Sequence, residues 1–123
     1  MPGVSVLIAD DHRLFAEALE AILAGEERIE VVAHARDGRE AVEPWQQHKP
    51  DLTLMDIAMP VLDGLGATRA IRKLDDSARI LMLTGSNART DVDRARQAGA
   101  AGYVTKDRIA AELIDAILEV AGR

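Results

Sequence analysis

The sequence predicts an α/β fold, a doubly wound, five-stranded parallel sheet with helices on both faces. Three observations predict it. Short apolar runs alternate with amphipathic stretches five times along the chain, as repeated strand-helix units require. The runs are nearly continuous rather than alternating, which suits strands covered on both sides. The chain has 123 residues, 48% of them apolar. That is near the roughly 150 residues of one domain and enough to bury one core without staples.

The first run is Val4 to Ala9. Behind it Leu14, Phe15, Ala18, Leu19, Ile22 and Leu23 fall on one face at helical spacing, with Gly25 as the stop. The second run, Ile29 to Ala35, precedes a weaker helical stretch from Gly38 to His48 that carries Trp45. The third run, Leu52 to Met55, leads to a helix over Gly64 to Leu74, patterned by Leu65, Ile71 and Leu74. The fourth run is Ile80 to Leu83. The stretch after it, Thr90 to Ala98, has only Val92 and alanines to bury and should be the least anchored helix. A short fifth run, Gly102-Tyr103-Val104, precedes the clearest stripe of all: Ala110, Leu113, Ile114, Ile117, Leu118 and Ala121. Right-handed crossovers restrict the topology, with a different strand order in an open sheet as the alternative.

Composition excludes several classes of function. No cysteine is present, so disulfides and thiolate metal sites are ruled out. The aromatic residues are Phe15, Trp45 and Tyr103, so the core must be aliphatic. Lys and Arg number 15 against 21 Asp and Glu, a formal charge of -6. No broad basic field exists to neutralise nucleic-acid phosphates, so direct DNA binding by this chain is disfavoured. Neither a signal peptide nor a membrane-spanning run is legible, and the expected location is cytoplasmic.

Open parallel sheets bind ligands beyond the carboxyl ends of their strands, where strand order reverses. The first run ends in Asp10-Asp11, the third in Asp56, the fourth in Thr84, and the fifth leads through Thr105 to Lys106. The second ends at Ala35-Arg36 without an obvious chemical group, which places it at an edge. Three carboxylates, a hydroxyl and an ammonium thus meet at one end of the sheet. Crowded carboxylates raise one another's pKa, and a hard divalent cation such as Mg2+ relieves them. The lysine and Thr84 suit an additional anion. Such a set fits phosphoryl transfer, which depends on positioning and charge neutralisation, with an aspartate as the acceptor. Each residue also has an ordinary reading: Asp10-Asp11 and Thr84 as helix caps, Asp56 as a loop acid, Lys106 as a surface charge. The histidines His12, His34 and His48 show no ligand spacing and read as solvated or structural.

At these residues the chain resembles the receiver domain of bacterial two-component response regulators. The resemblance rests on Asp10-Asp11, on Met55-Asp56-Ile57-Ala58-Met59-Pro60 with Asp63-Gly64, on Leu83-Thr84, and on Gly99 through Lys106. Asp10-Asp11-His12-Arg13-Leu14-Phe15 and the ending Lys106-Asp107 look most like the NarL/LuxR-type branch. The resemblance implies a flavodoxin-like strand order, 2-1-3-4-5. It implies Asp56 as phospho-acceptor, and Asp10, Asp11, Asp56 and the Ala58 carbonyl as the Mg2+ shell. Thr84 and Lys106 would contact the phosphoryl group. Tyr103 would be the aromatic that moves between outward and inward positions, while the segment from Ser86 to Ala98 repositions. The expected partners are a sensor histidine kinase and a second copy of the chain, dimerising through the fourth helix, fifth strand and fifth helix or through the first and fifth helices. Small residues at Ala58 and Gly85 would leave an acyl phosphate less shielded from water, and its lifetime is expected to be set by Ser86 and by the packing around it.

The whole chain, 1-123, reads as one receiver domain with no second domain. It is either a stand-alone regulator or a piece preceding a DNA-binding output domain. Other functions are weighed against the switch. A haloacid-dehalogenase-type phosphatase needs an acid two residues after its nucleophile, and Ala58 stands there. The P-loop fingerprint is missing. An interaction module that is never phosphorylated keeps the fold, but the intact set Asp10, Asp11, Asp56, Thr84 and Lys106 weighs against it. The expectation is therefore a phospho-accepting regulator rather than an enzyme.

Overall fold

A computed structural model of the chain describes residues 3–59, 62–85 and 89–122. Its elements are β1 (Val4–Ala9), α1 (Arg13–Ala24), β2 (Ile29–Ala35), α2 (Gly38–His48), β3 (Leu52–Asp56), α3 (Gly64–Leu74), β4 (Ile80–Thr84), α4 (Arg89–Ala98), β5 (Gly102–Thr105) and α5 (Ile109–Ala121), with a 3-10 turn at Lys106–Arg108. The strands form one parallel sheet in the order β2-β1-β3-β4-β5. The expected order is therefore the observed one, with β2 on an edge. Pro60 and Ser86, singled out in the sequence, lie outside the described residues.

Strand residues alternate between two buried layers, as the pleat dictates. Val6, Ile8, Leu52, Leu54, Leu81 and Leu83 face α1 and α5, meeting Leu19, Leu23, Leu113 and Ile117. Leu7, Ala9, Met55, Ile80 and Met82 face α2, α3 and α4, where Trp45, Leu65 and Ile71 supply the bulk. Both faces being covered explains the nearly unbroken apolar runs.

The first helix departs from its expected face. Leu19 and Leu23 are buried and Phe15 and Ile22 partly so, but Leu14 is 82% exposed and Ala18 faces solvent. The apolar residues of α1 span about half the helix circumference, wider than the stripe one sheet face can cover. The sheet takes the half centred on Leu19 and leaves the Leu14–Ala18 flank outside. The last helix behaves similarly. Ile109, Leu113, Ile117 and Val120 form its buried line, Ile114 and Leu118 pack at the margin, and Ala110 is exposed.

The fourth helix matches expectation. Its buried side chains among the described residues are Val92, Ala95 and Ala98. The second helix forms despite Pro44 in its interior, which removes one backbone donor. Asp37 caps its start by accepting the Glu40 N–H at 2.7 Å, and Trp45 is buried.

Strand order reverses between β1 and β3, and the register fixes what emerges there. Ala9 lies beside Met55, so Asp10 and Asp56 leave the sheet as neighbours. Asp56 pairs with Leu83, and Thr84 with Thr105.

Candidate functional site

Asp10 is 3% exposed and Asp56 1%. One oxygen of each is engaged. Asp10 Oδ1 accepts the His12 N–H at 2.8 Å. Asp56 Oδ1 accepts the Ala58 N–H at 3.3 Å and lies 3.5 Å from Lys106 Nζ. The other oxygens, Asp10 Oδ2 and Asp56 Oδ2, are buried with no hydrogen-bond partner in the protein. Ligand atoms of Asp10, Asp11, His12 and Asp56 all lie within 4.8 Å of one another. This crowding costs free energy. Burial, above all, pushes the Asp10 carboxyl from its ordinary 3.8 up to about 6, opposed by the His12 amide and Lys106 and reinforced by the charges of Asp56 and Asp11.

Buried carboxylate oxygens without partners are uncommon in folded proteins. Two of them beside a more exposed third carboxylate form an all-oxygen set suited to a hard divalent cation. The cluster could therefore hold a metal ion, and its donor chemistry fits Mg2+.

The ordinary readings of these residues can now be separated from the functional ones. The N-cap of α1 is His12, which makes no side-chain capping bond. Asp10 accepts the amide of His12 itself, ahead of the helix, so its carboxylate is not a helix cap. Helix capping falls instead to Asp37 and to Asp63, which accepts the Gly66 N–H at 2.8 Å. Lys106 is not an ordinary surface charge: its ammonium faces Asp56 and sits 4.5 Å from the centroid of the Phe15 ring. That cation–π contact holds the charge where it can meet an anion.

Thr84 is buried at the end of β4. It lines an open cleft with Ile57, Ala58, Met59, Gly85 and the α4 residues Asp91 and Arg94. Tyr103 is not brought to the carboxylates. Its register with Met82 puts it on the sheet face that α4 covers, at the edge strand, where it is 38% exposed. Gly64 lies so close to the end of β3 that a Cβ there would stand 2.2 Å from the Asp56 carbonyl oxygen, which requires glycine at this position.

Two participants were not read from the sequence as part of the site. His12 joins the cluster, with Nδ1 3.6 Å from Asp11 and 3.9 Å from Asp10, while its side chain remains 72% exposed. Its adjacency to Asp10-Asp11 was the available signal. Phe15 reads as a core residue, and no local pattern links it to Lys106. His34 is not at the site's centre and pairs with Glu20 at 3.1 Å.

Residues 6–118 match the response regulator receiver domain family. The chain belongs to that family. It is 39% identical over 118 residues to the transcriptional regulatory protein DegU of Brevibacillus brevis, covering 96% of this chain and 50% of that protein. It is 40% identical over 115 residues to the chemotaxis protein CheY of Halobacterium salinarum, covering 94% of each. The signal receiver domain of NarL from Mycobacterium tuberculosis superposes with a TM-score of 0.94 at 34% identity, covering 99% of this chain and 98% of that one. The receiver therefore spans half the length of the DegU relative. Its transcriptional-regulator relatives agree with the NarL/LuxR-type resemblance. Among the described residues, no helix is long and apolar enough to cross a membrane.

Proposed function

We propose that this receiver is a phosphorylation-dependent switch that accepts a phosphoryl group on Asp56 from the phosphohistidine of a sensor kinase. The observation that carries this reading is the pairing of buried, partnerless oxygens on Asp10 and Asp56 with an ammonium 3.5 Å from the acceptor. In the transfer, an Asp56 carboxylate oxygen forms a bond to phosphorus as the phosphorus–nitrogen bond of the donor breaks, and the electron pair leaves with the imidazole. Asp10, Asp11, Asp56 and the Ala58 carbonyl would hold Mg2+, which when bound supplies neutralisation of the phosphoryl oxygens. Lys106 contributes a compact positive charge. Thr84 donates its hydroxyl to the phosphoryl group.

The new group adds charge and strong acceptors at the end of β3. As Thr84 turns toward it, Tyr103 moves inward from its half-exposed position, and α4 shifts with it. Moving a two-state equilibrium from 1:99 to 99:1 takes about 5.5 kcal/mol of differential affinity. Several charge-assisted bonds made in one state only are of that order.

The output we infer is transcriptional, through a DNA-binding domain outside residues 1-123. What supports this is that the DegU relative, a transcriptional regulator, is twice the length the alignment spans. A second copy of the chain is the expected dimer partner, and the location is cytoplasmic. Incubation with acetyl phosphate and Mg2+ tests the acceptor directly. Asp56→Asn abolishes base-labile phosphate incorporation, and Asp63→Asn, which retains an oxygen to cap α3, leaves it intact. Equal labelling of wild type and Asp56→Asn would assign the acceptor elsewhere.

A further inference from the structure

The acceptor's backbone is held from behind by a stack of contacts that only glycines permit. Gly64 lies against the end of β3. Its N–H donates to the Ile57 carbonyl at 3.1 Å, and a Cβ on it would stand 2.2 Å from the Asp56 carbonyl oxygen. The residues just before it, Leu62 and Asp63, are pressed in turn by the start of α2. The Gly38 N–H donates to the Leu62 carbonyl at 2.9 Å. A Cβ on Gly38 would lie 2.0 Å from that oxygen and 2.9 Å from the Asp63 carbonyl oxygen. Both obstacles are backbone atoms, so no side-chain rotation relieves them.

The first turn of α2 is itself fixed at two points. Asp37 accepts the Glu40 N–H at 2.7 Å, and the Glu40 carboxylate accepts the Arg36 N–H at 3.2 Å. An unbroken path therefore runs from the α2 N-terminus through Leu62 and Gly64 to the backbone of Asp56.

We propose that Gly38 is a positioning residue: with the first turn of α2 it buttresses the loop that sets Asp56 and Ala58 for metal binding and phosphorylation. This rests on the reading of the acidic cluster as a metal site. Neighbours that orient metal ligands without touching the ion govern affinity, and Gly38 does so through backbone alone. Metal affinity should therefore depend on α2, although α2 supplies no ligand.

The experiment measures Mg2+ affinity by calorimetry in wild type, Gly38→Ala, Asp37→Ala and Val42→Ala, alongside melting in the absence of Mg2+ and amide spectra. Gly38→Ala weakens Mg2+ about tenfold, and Asp37→Ala, which loosens the same turn without a clash, weakens it less. Val42, half-buried on the same helix, serves as the control: Val42→Ala lowers the melting temperature and keeps native Mg2+ affinity. In Mg2+-free protein, Gly38→Ala displaces the Ile57 and Ala58 amide resonances, and Val42→Ala does not. Native affinity and unshifted amides in both Gly38→Ala and Asp37→Ala overturn the proposal, as does an equal loss of affinity in Val42→Ala. If Gly38→Ala does not fold, Asp37→Ala decides the question. A wild type that fails to bind Mg2+ overturns the metal-site reading, and the amide shifts then judge the buttress separately.

Discussion

Asp10 carries an electrostatic conflict between its burial and its charge. Its carboxyl is held at about 6 rather than 3.8, so the folded protein binds this proton more tightly than the unfolded chain does. The stabilisation is fully present below the unfolded value and is lost as pH rises through about 6. In metal-free protein, Asp10→Asn should therefore raise the melting temperature at pH 7.5, and the gain should shrink toward pH 5, where the wild-type carboxyl is itself protonated. Mg2+ competes with the same proton. Its affinity should rise with pH through about 6 and level off above, as calorimetry at a series of pH values can check. A gain from Asp10→Asn that stays constant between pH 5 and 7.5 would show that desolvation at Asp10 does not strain the site.

At the scale of elements, α4 and α5 are opposites. The fifth helix buries Ile109, Leu113, Ile117 and Val120, whereas α4 offers Val92 and small alanines. Weakly packed elements open and move at low cost. The α4 amides should exchange with deuterium faster than those of α5. Beryllofluoride with Mg2+ should then shift amide resonances at Tyr103 and across 90–98 while leaving the middle of α5 unchanged. Slow exchange in α4, or silence there on beryllofluoride binding, would remove α4 from the switch. The strand that carries Asp56 is tied down by contrast. At the opposite end of the sheet from the acidic cluster, Asp51 ties β1 to the start of β3, accepting the Ser5 N–H at 2.9 Å while its own N–H donates to Ser5 Oγ at 2.9 Å.

For the whole molecule, the formal charge of -6 is distributed unequally in consequence. Most acids are solvated or pair locally, as Glu26 does with Arg28 at 2.7 Å, and such exposed pairs contribute little to stability. The acids at the ends of β1 and β3 crowd together, and a bound cation would cancel their repulsion. Mg2+ binding to the folded state alone stabilises by about 2.7 kcal/mol at a hundred times its dissociation constant. Millimolar Mg2+ should accordingly raise the melting temperature by several degrees, and sodium at equal ionic strength should not. Equal effects of the two salts would reduce the cluster to general charge screening.

Much of this was legible in the sequence because it is periodic or local. Apolar runs set the strands, helical spacing set the helices, and the residues closing each run named Asp10, Asp11, Asp56, Thr84 and Lys106. What periodicity cannot supply is which half of a wide apolar arc meets the sheet, and so Leu14 went to solvent against expectation. Local pattern also cannot tell one aspartate from another. Asp37 and Asp63 cap helices, Asp51 ties two strands, and Asp10 and Asp56 are left with unpartnered oxygens. The same side chain takes each role according to which backbone amides and charges surround it. The alternation of strands and helices, and the chemistry waiting at their ends, were determined by sequence. The placement of Phe15 under Lys106 and of Gly38 behind Asp56 was decided by tertiary structure, because each depends on a contact between segments whose separation along the chain leaves no local trace.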